Sequence, residues 1–292
     1  MKTNYINTAI YFLVSVLLVF NYSCTQEVTL EFDHEPKLCL NCVLNPDSII
    51  TASLTLSHSL DNSGVFDAVD NANIKLFEND ILKGELAFLS SGKYLLKQKP
   101  ETGKHYKIIV EAPGYEKLEA FTKVPEKPLI NYTKDTTRIL ENVNWPVMDL
   151  NVQIFDKPGK DNYWVYKTWI VNGVRYGGGG NEFIAPYIDE FNRYLDSDSK
   201  YGFRYFMQTR MTDEGYDGQE LTFTIADIIG VGSSVQYFLN ADGHYDKYIK
   251  TILINRMNET DELPFYEPIQ IYSNIENGYG IFGSCAITTI KL

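Results

Sequence analysis

The sequence predicts a mainly β protein with two domains, and three observations support this class. Short apolar runs recur along the chain, and Gly, Asn, Asp and Ser separate them at short intervals. Tyr and Phe, which favour strands, number 21 and 16. Long stretches with helical spacing of apolar residues are few. We therefore expect strands to build both domains, with one or two short helices in the second domain.

The first 23 residues have the pattern of an export signal. An apolar run covers residues 9–20 (AIYFLVSVLLVF), and a small residue, Ser23, precedes Cys24. The run is short for a membrane span, which needs about 20 apolar residues, so a cleaved signal peptide is predicted. Ser23-Cys24 resembles the processing site of bacterial lipoproteins, which implies a lipid on Cys24 that anchors the chain in a membrane. An ordinary secretory signal, in which Cys24 has no role, stays open.

The charge of the chain excludes one class of partner. The formal net charge is -12, so the protein has no electrostatic footprint for nucleic acid and is repelled by anionic lipid surfaces. Membrane attachment would therefore depend on the lipid on Cys24.

The first predicted domain covers residues 37–125 and follows a polar, lipidated tether over residues 24–36. Seven short strands are expected in it, which is the number in an immunoglobulin-like sandwich. They cover residues 38–44, 49–56, 72–78, 81–87, 92–97, 104–111 and 115–123. Segments 72–78, 92–95 and 106–115 resemble prealbumin-like or carboxypeptidase-regulatory-like β-sandwiches, which implies a scaffold or a binding surface. Pro125 and Pro128 mark the domain boundary.

The second predicted domain, residues 126–292, is a larger β-sandwich-like unit. Strands are expected over residues 150–156, 162–171, 201–210, 219–226 and 234–239, after a stretch at 129–149. Asn172-Gly173 predicts a hairpin turn. Helical spacing predicts a short helix with a loop within 181–199 and a second helix over 243–257.

Aromatic residues of this domain are candidate ligand-binding positions. The strand at 162–171 carries aromatic side chains on both faces. The candidates are Trp145, Tyr163, Trp164 and Trp169. Exposed in a groove, they would stack on a glycan or a peptide, and the alternative places most of them in the core.

Three cysteines remain if Cys24 carries lipid. Cys39 and Cys42 lie three positions apart on a predicted strand and would face opposite sides, so two free thiols are favoured over a redox pair. A bridge between Cys42 and Cys285 stays open.

No catalytic, metal or cofactor motif is found. The four His lie in unrelated contexts. The run at 177–180 is interpreted as a flexible loop because a phosphate loop needs a following Gly-Lys-Ser/Thr. The acidic tracts at 196–199 and 213–218 are interpreted as solvated turns because they lack the spacing of a calcium loop. We therefore expect no enzyme, although a site built from distant loops stays open.

The end of the chain carries the most distinctive pattern. A proline-rich approach at 263–268 leads into seven signature positions, Tyr272, Ser273, Asn274, Gly278, Gly280, Phe282 and Gly283. This pattern resembles the C-terminal hallmark of the domain of unknown function 4249 family, lipoproteins of Bacteroidota, and residues 36–48 also resemble that family. Closure of the fold is favoured over ligand binding here, since Asn and Gly commonly build turns.

The resemblance implies an accessory lipoprotein of the outer membrane. Such proteins are often encoded near TonB-dependent transporters, so a transporter barrel or an associated lipoprotein is the expected partner. Cell surface and periplasmic face both stay open. Two tracts, at 47–49 and 135–137, resemble the O-glycosylation pattern of that phylum.

Two function hypotheses follow. The first is a non-catalytic accessory protein that docks on a transporter and presents a broad apolar patch. The alternative is a free-standing envelope lipoprotein that binds a glycan or a peptide through exposed aromatic residues.

Overall fold

The computed structural model describes residues 34–59, 64–140, 145–179, 181–184, 208–213, 215–229, 232–260 and 269–292. The signal peptide, Cys24, most of the tether and the acidic tract at 196–199 lie outside these residues. Strands dominate and one helix is present within the described part, so the predicted mainly β class is confirmed.

The first sandwich contains the seven predicted strands. Their bounds are Leu38–Leu44 (β1), Ile50–Leu56 (β2), Asn73–Glu78 (β3), Ile81–Ser90 (β4), Lys93–Leu96 (β5), His105–Glu111 (β6) and Leu118–Lys123 (β7). One sheet holds β1, β2 and β5, and the other holds β3, β6 and β7. Strand β4 joins both, because its first part pairs with β3 and its last part pairs with β5. Side chains alternate between core and surface along β1, as the sandwich requires.

The second sandwich faces two further sheets against each other. Its strands are Leu129–Leu140 (β8), Trp145–Phe155 (β9), Asn162–Val171 (β10), Val174–Gly179 (β11), Asn181–Ile184 (β12), Gln208–Thr212 (β13), Glu220–Ile228 (β14), Ser233–Ala241 (β15) and Tyr279–Lys291 (β16). One sheet has the order β12-β14-β9-β8, and the other has β11-β10-β15-β16 with β13 also paired to β10. Apolar residues of β9 and β14, such as Val152 and Phe223, pack on Tyr163 and Val165 of β10.

The helix Gly243–Thr260 (α1) covers the outer face of the second sandwich. Tyr245, Ile249 and Leu253 pack over Trp164 and Leu239. The helix begins where the sequence predicts it and extends three residues further. Within the described residues, no helix is long and apolar enough to cross a bilayer.

Strand β16 belongs to both sandwiches. Its first half runs parallel to β1, from the pair Cys39 and Tyr279 to the pair Leu44 and Ser284. Its second half runs antiparallel to β15. Residues 279–284 therefore lie in a sheet of the first sandwich, although they follow the predicted boundary at 125. Local sequence patterns carry no information on such a long-range parallel pair.

The signature glycines permit close approach between β16 and β1. Gly280 has φ of +105°, and a Cβ atom there would lie 2.0 Å from the carbonyl oxygen of Leu40. A Cβ atom on Gly278 would lie 2.6 Å from the carbonyl oxygen of Leu38. Phe282, fully buried, fills the first core. These positions bring β16 against β1 and the first core.

Two local predictions differ from the structure, and one stretch without a predicted structure forms strands. Residues 181–184 form a strand instead of a helix, because they pair with β14 from Asn181 to Ile184. Residues 177–179 belong to β11 and not to a loop, since Gly177 and Gly179 pair with β10. The stretch at 129–149 contains β8 and the start of β9, which form a long antiparallel pair. Residues 185–199 and 201–207 of the predicted helix and strand lie outside the described part.

The three cysteines in the described part, Cys39, Cys42 and Cys285, are free thiols. Cys42 is buried in the first core and Cys39 lies half-buried on the opposite face of β1, as the alternation predicts. Cys285 lies under the helix, in a different cluster from Cys42, so the bridge between them is not formed. Burial raises the pKa of the Cys42 and Cys285 thiols to about 12, which keeps both thiols protonated and poorly reactive.

Candidate functional site

A groove lies at the junction of the two sandwiches, among the described residues. It encloses about 820 Å³. Its walls come from five segments, at residues 103–106, 121–129, 155–163, 210 and 240–250. We call it the junction groove. Cavities of this size can hold a small ligand.

A buried carboxylate lies at the floor of the junction groove. Asp246 of α1 accepts hydrogen bonds from Arg210 Nε at 2.8 Å and from Trp164 Nε1 at 3.0 Å. Lys250 Nζ lies 3.3 Å from its second oxygen. The network continues from Arg210 to Asn162 Oδ1 at 2.9 Å. These contacts dock the helix on the sheet and compensate the buried charges.

The rim of the junction groove is cationic, although the protein is acidic. Outside the network of Arg210, Lys250 and Asp246, five lining residues are Lys and three are Asp or Glu, whereas the whole chain has 26 Lys or Arg and 38 Asp or Glu. Part of this charge is balanced locally, because Lys127 lies 2.5 Å from Asp47 and Lys157 lies 4.0 Å from Glu126. The start of the helix is closed to anions, since Asp242 already accepts the N–H of Tyr245 at 3.0 Å.

An acidic cluster lies beside the groove, and two of its members, Asp213 and Asp217, belong to the tract at 213–218. Carboxylate oxygens of Asp156, Asp213 and Asp217 lie within 4.8 Å of one another, and a hard cation such as Ca²⁺ favours such ligands. The carboxylates also accept hydrogen bonds within the loops: Asp156 from Tyr163 Oη at 2.6 Å and Asp217 from the Gly159 N–H at 2.7 Å. These hydrogen bonds connect the two loops, so the cluster is explained by its contribution to the fold.

Burial raises the pKa of two carboxyl groups in this region. Desolvation raises the pKa of Asp213, and the charge of Asp156 adds to the effect. The pKa of Asp161 is raised for the same two reasons. Asp161 accepts a hydrogen bond from Asn240 Nδ2 at 2.6 Å. Sequence analysis missed this arrangement because its members come from separate loops.

Of the four candidate aromatic residues, the structure buries two and leaves a third half-buried. Tyr163 and Trp164 are 3% and 2% exposed, so neither ring face is open to a ligand. Trp169 is half-buried, and the ammonium of Lys167 lies 3.8 Å from its ring centroid. The side chain of Trp145 lies outside the described part. At the groove itself, sequence reasoning missed Phe121, which is 53% exposed.

The remaining signature residues hold the closing segment in place. Asn274 makes two bonds with the backbone of Phe282, at 2.8 and 3.0 Å. Ser273 Oγ accepts the N–H of Ile275 at 3.3 Å. Tyr272 Oη lies 2.7 Å from His244 Nδ1, at the edge of the helix. A Cβ atom on Gly283 would lie 2.9 Å from Tyr245, so this glycine lets the helix approach β16.

The fold and the junction groove define a class: a mainly β protein of two sandwiches that share their last strand. The chain belongs to the family described as Domain of unknown function (DUF4249), which it matches over residues 25–291. The resemblance noted at the end of the chain is thus confirmed. No curated protein matches the chain.

Two solved structures show distant likeness. A candidate membrane-anchored protein from Corynebacterium diphtheriae is 12% identical, and the match covers 73% of this chain and 56% of that one, with a TM-score of 0.23. The partial N-terminal region of an enterococcal surface protein is 9% identical over 76% of this chain and 95% of that one, with a TM-score of 0.21. Similarity at this level carries no argument about function.

Proposed function

We propose that this protein is a non-catalytic, lipid-anchored accessory protein of the bacterial outer membrane. A lipid on Cys24 holds it at the membrane, and the joined sandwiches present a docking surface to a partner. The partner is a TonB-dependent transporter barrel or an associated lipoprotein. The family match begins at residue 25, directly after Cys24, which supports a mature chain that starts at the lipid.

The observation that carries this proposal is the exposed apolar surface of strand β4. Four of its large apolar side chains are exposed: Ile81 at 74%, Leu82 at 51%, Phe88 at 49% and Leu89 at 59%. Neighbouring residues of a strand point to opposite faces, so both faces of β4 are accessible at each end. Each half of β4 is paired on one side only among the described strands.

An exposed apolar edge of this kind suits a protein partner. Unpaired edges pair readily with other chains, and apolar patches on a soluble surface commonly mark interaction sites. A partner strand could add to β4 while its side chains cover the exposed apolar residues. Such docking needs no chemistry from the groove.

The polar groups in the junction groove support a non-catalytic function. Asp246 and Arg210 bind each other, and His244 is engaged with Tyr272. A general base must be able to reach a substrate proton, and these groups are committed to the fold.

The anchor is tested by a Cys24→Ala variant. We expect the variant in the soluble fraction, because the acidic chain has no other attraction to anionic lipid. Membrane fractions washed with carbonate are compared with wild type by immunoblot. Retention of the variant in washed membranes would refute the lipid anchor.

Docking is tested by affinity capture of the native lipoprotein from its own outer membrane in mild detergent, followed by mass spectrometry. We expect a transporter barrel in stoichiometric amount with wild type, and its loss with Ile81→Lys/Leu89→Lys. The control is Val174→Lys/Tyr176→Lys, since both residues are 53% exposed on a different edge strand. Equal capture by both variants would exclude β4 as the docking edge. Absence of both a barrel and an associated lipoprotein with wild type would exclude the accessory function.

A second candidate is a free-standing lipoprotein that binds a glycan or a peptide. The junction groove favours it, because Phe121 is exposed in a cavity of about 820 Å³. Glycan and peptide arrays probed with wild type and Phe121→Ala distinguish the two functions. Binding that is lost with Phe121→Ala, without capture of a barrel, would favour this candidate.

A further inference from the structure

A lysine and an aspartate face each other inside the second sandwich. Lys167 follows Tyr163 and Val165 on the inner face of β10, and its side chain is 0% exposed. Asp227 lies on β14 of the opposite sheet, and its side chain is 3% exposed. Lys167 Nζ is in direct contact with Asp227 Oδ1. The junction groove does not include either residue.

An aromatic ring and two polar side chains surround the pair. The indole ring of Trp169 lies 3.8 Å from Lys167 Nζ. On the other side, Ser234 Oγ donates to Asp227 Oδ2 at 2.8 Å, and Gln236 Nε2 donates to Oδ1 at 3.1 Å. Ser234 and Gln236 are themselves buried. The carboxyl group is therefore held in one orientation with the amine directly beside it.

Burial disfavours two separated charges at this place. Desolvation lowers the pKa of the Lys167 ammonium, and the nearby Asp227 only partly opposes this effect. Removing both charges from water is costly, and the attraction between them has to offset that cost. If the ammonium passes its proton to the carboxylate, the pair becomes a neutral amine next to a carboxylic acid. A neutral amine is the nucleophilic form of lysine.

We propose that Lys167 and Asp227 form an intramolecular amide bond that links the two sheets of the second sandwich. The geometry brings nucleophile and electrophile together and holds the carboxyl group by two further hydrogen bonds. Proximity of this kind converts a slow reaction between two groups into an effectively unimolecular one.

The reaction is balanced without any co-reactant. The neutral Nζ attacks Cγ of the protonated Asp227, and a C–N bond forms. The tetrahedral intermediate loses its hydroxyl group together with one amine proton, which leave as one water molecule. Gln236 stabilises the developing negative charge on Oδ1, and Ser234 can pass the proton to the leaving oxygen Oδ2. No atom is oxidised or reduced.

The product explains why two charged residues are placed in a core. The amide carries no net charge, so the desolvation cost of the ion pair disappears. It also joins β10 to β14 covalently across the sandwich, in addition to the side-chain packing and hydrogen bonds between the two sheets. The alternative to the amide bond is an unreacted pair, which would be a buried salt bridge.

The test is mass spectrometry of the purified full-length chain after denaturation. We expect a mass lower by one water molecule than the mass calculated for the same purified chain without a bond between Lys167 and Asp227. Trypsin should then fail to cleave after Lys167, and segment 161–175 should be recovered linked to segment 211–247. Full mass, with normal cleavage after Lys167 and an unlinked segment 211–247, would overturn the proposal.

Two variants sharpen the result. Lys167→Arg keeps the positive charge but removes the amine, so the water should be retained. Asp227→Asn should lose ammonia in place of water, which yields a product with the same mass as reacted wild type. The wild-type peptides alone decide the question if either variant fails to fold.

Discussion

At the scale of single residues, the glycines of the closing segment carry the strictest steric requirement. Gly280 combines a positive φ with a backbone contact that leaves no space for a Cβ atom. We expect Gly280→Ala to lower the free energy of unfolding by about 3 kcal/mol or more, because strain and overlap add. Urea unfolding measures this loss.

The matched control is Gly114→Ala. Gly114 has φ of +85° but no atom lies within 4 Å of its added Cβ. The free energy of unfolding of Gly114→Ala should fall by only about 1 kcal/mol, which is the cost of the backbone conformation alone. Equal losses at the two positions would show that the contact with Leu40 is unimportant.

A second prediction concerns pH. Desolvation raises the pKa of Asp161 above its ordinary value of 3.8, so the folded protein holds this proton more tightly than the unfolded chain. The stabilisation is complete below pH 3.8 and is lost as the pH rises through the folded pKa. Asp161→Asn removes this dependence.

The free energy of unfolding of wild type should therefore fall relative to Asp161→Asn as the pH rises from the ordinary range of Asp toward neutrality. Chemical unfolding at a series of pH values measures the difference. Parallel pH profiles for the two proteins would contradict the raised pKa.

Single residues also show what sequence can predict. Asn172 and Gly173 form the predicted turn, with φ of 50° and 78°, because these types tolerate positive φ locally. The burial of Trp164 could not be predicted in the same way. Its strand carries aromatic residues on both faces, and only the position of the helix decides that its outer face is covered.

At the scale of elements, β16 couples the two sandwiches. All three Trp residues of the chain, Trp145, Trp164 and Trp169, lie in the second sandwich, so Trp fluorescence reports on that sandwich alone. Leu54 is fully buried in the first core. We expect Leu54→Ala to lower the free energy of unfolding by about 3 kcal/mol. The unfolding midpoint measured by Trp fluorescence should fall as a result, because the shared strand links the two cores.

Far-ultraviolet circular dichroism on the same samples follows the strands of both sandwiches. The two signals should change together in wild type and in the variant. An unchanged fluorescence midpoint beside an earlier transition in the dichroism signal would show that the sandwiches unfold independently.

The elements differ in how well local patterns predict them. Seven strands of the first sandwich and the helix at Gly243 follow from alternation, spacing and turn residues. Residues 181–184 have helical spacing in the sequence, but pairing with β14 determines their structure. The parallel pair of β16 and β1 joins the two ends of the chain, and no local pattern encodes it.

At the scale of the whole molecule, the candidate sites are products of tertiary structure. The junction groove is assembled from distant segments, and its cationic rim runs against the acidic composition of the chain. Composition therefore predicts the exclusion of nucleic acid but not the local charge of a cavity. The exposed edge of β4 likewise depends on which strands lie beside it.

The most direct test of the proposed docking is amide hydrogen exchange of the lipoprotein in its native outer membrane, compared with the purified protein in detergent. The account predicts slower exchange over Ile81–Ser90 in the membrane, because a partner covers the β4 edge. The control segment is β11, Val174–Gly179, whose exchange should be the same in both samples. Equal exchange of β4 in membrane and detergent would contradict docking at this edge.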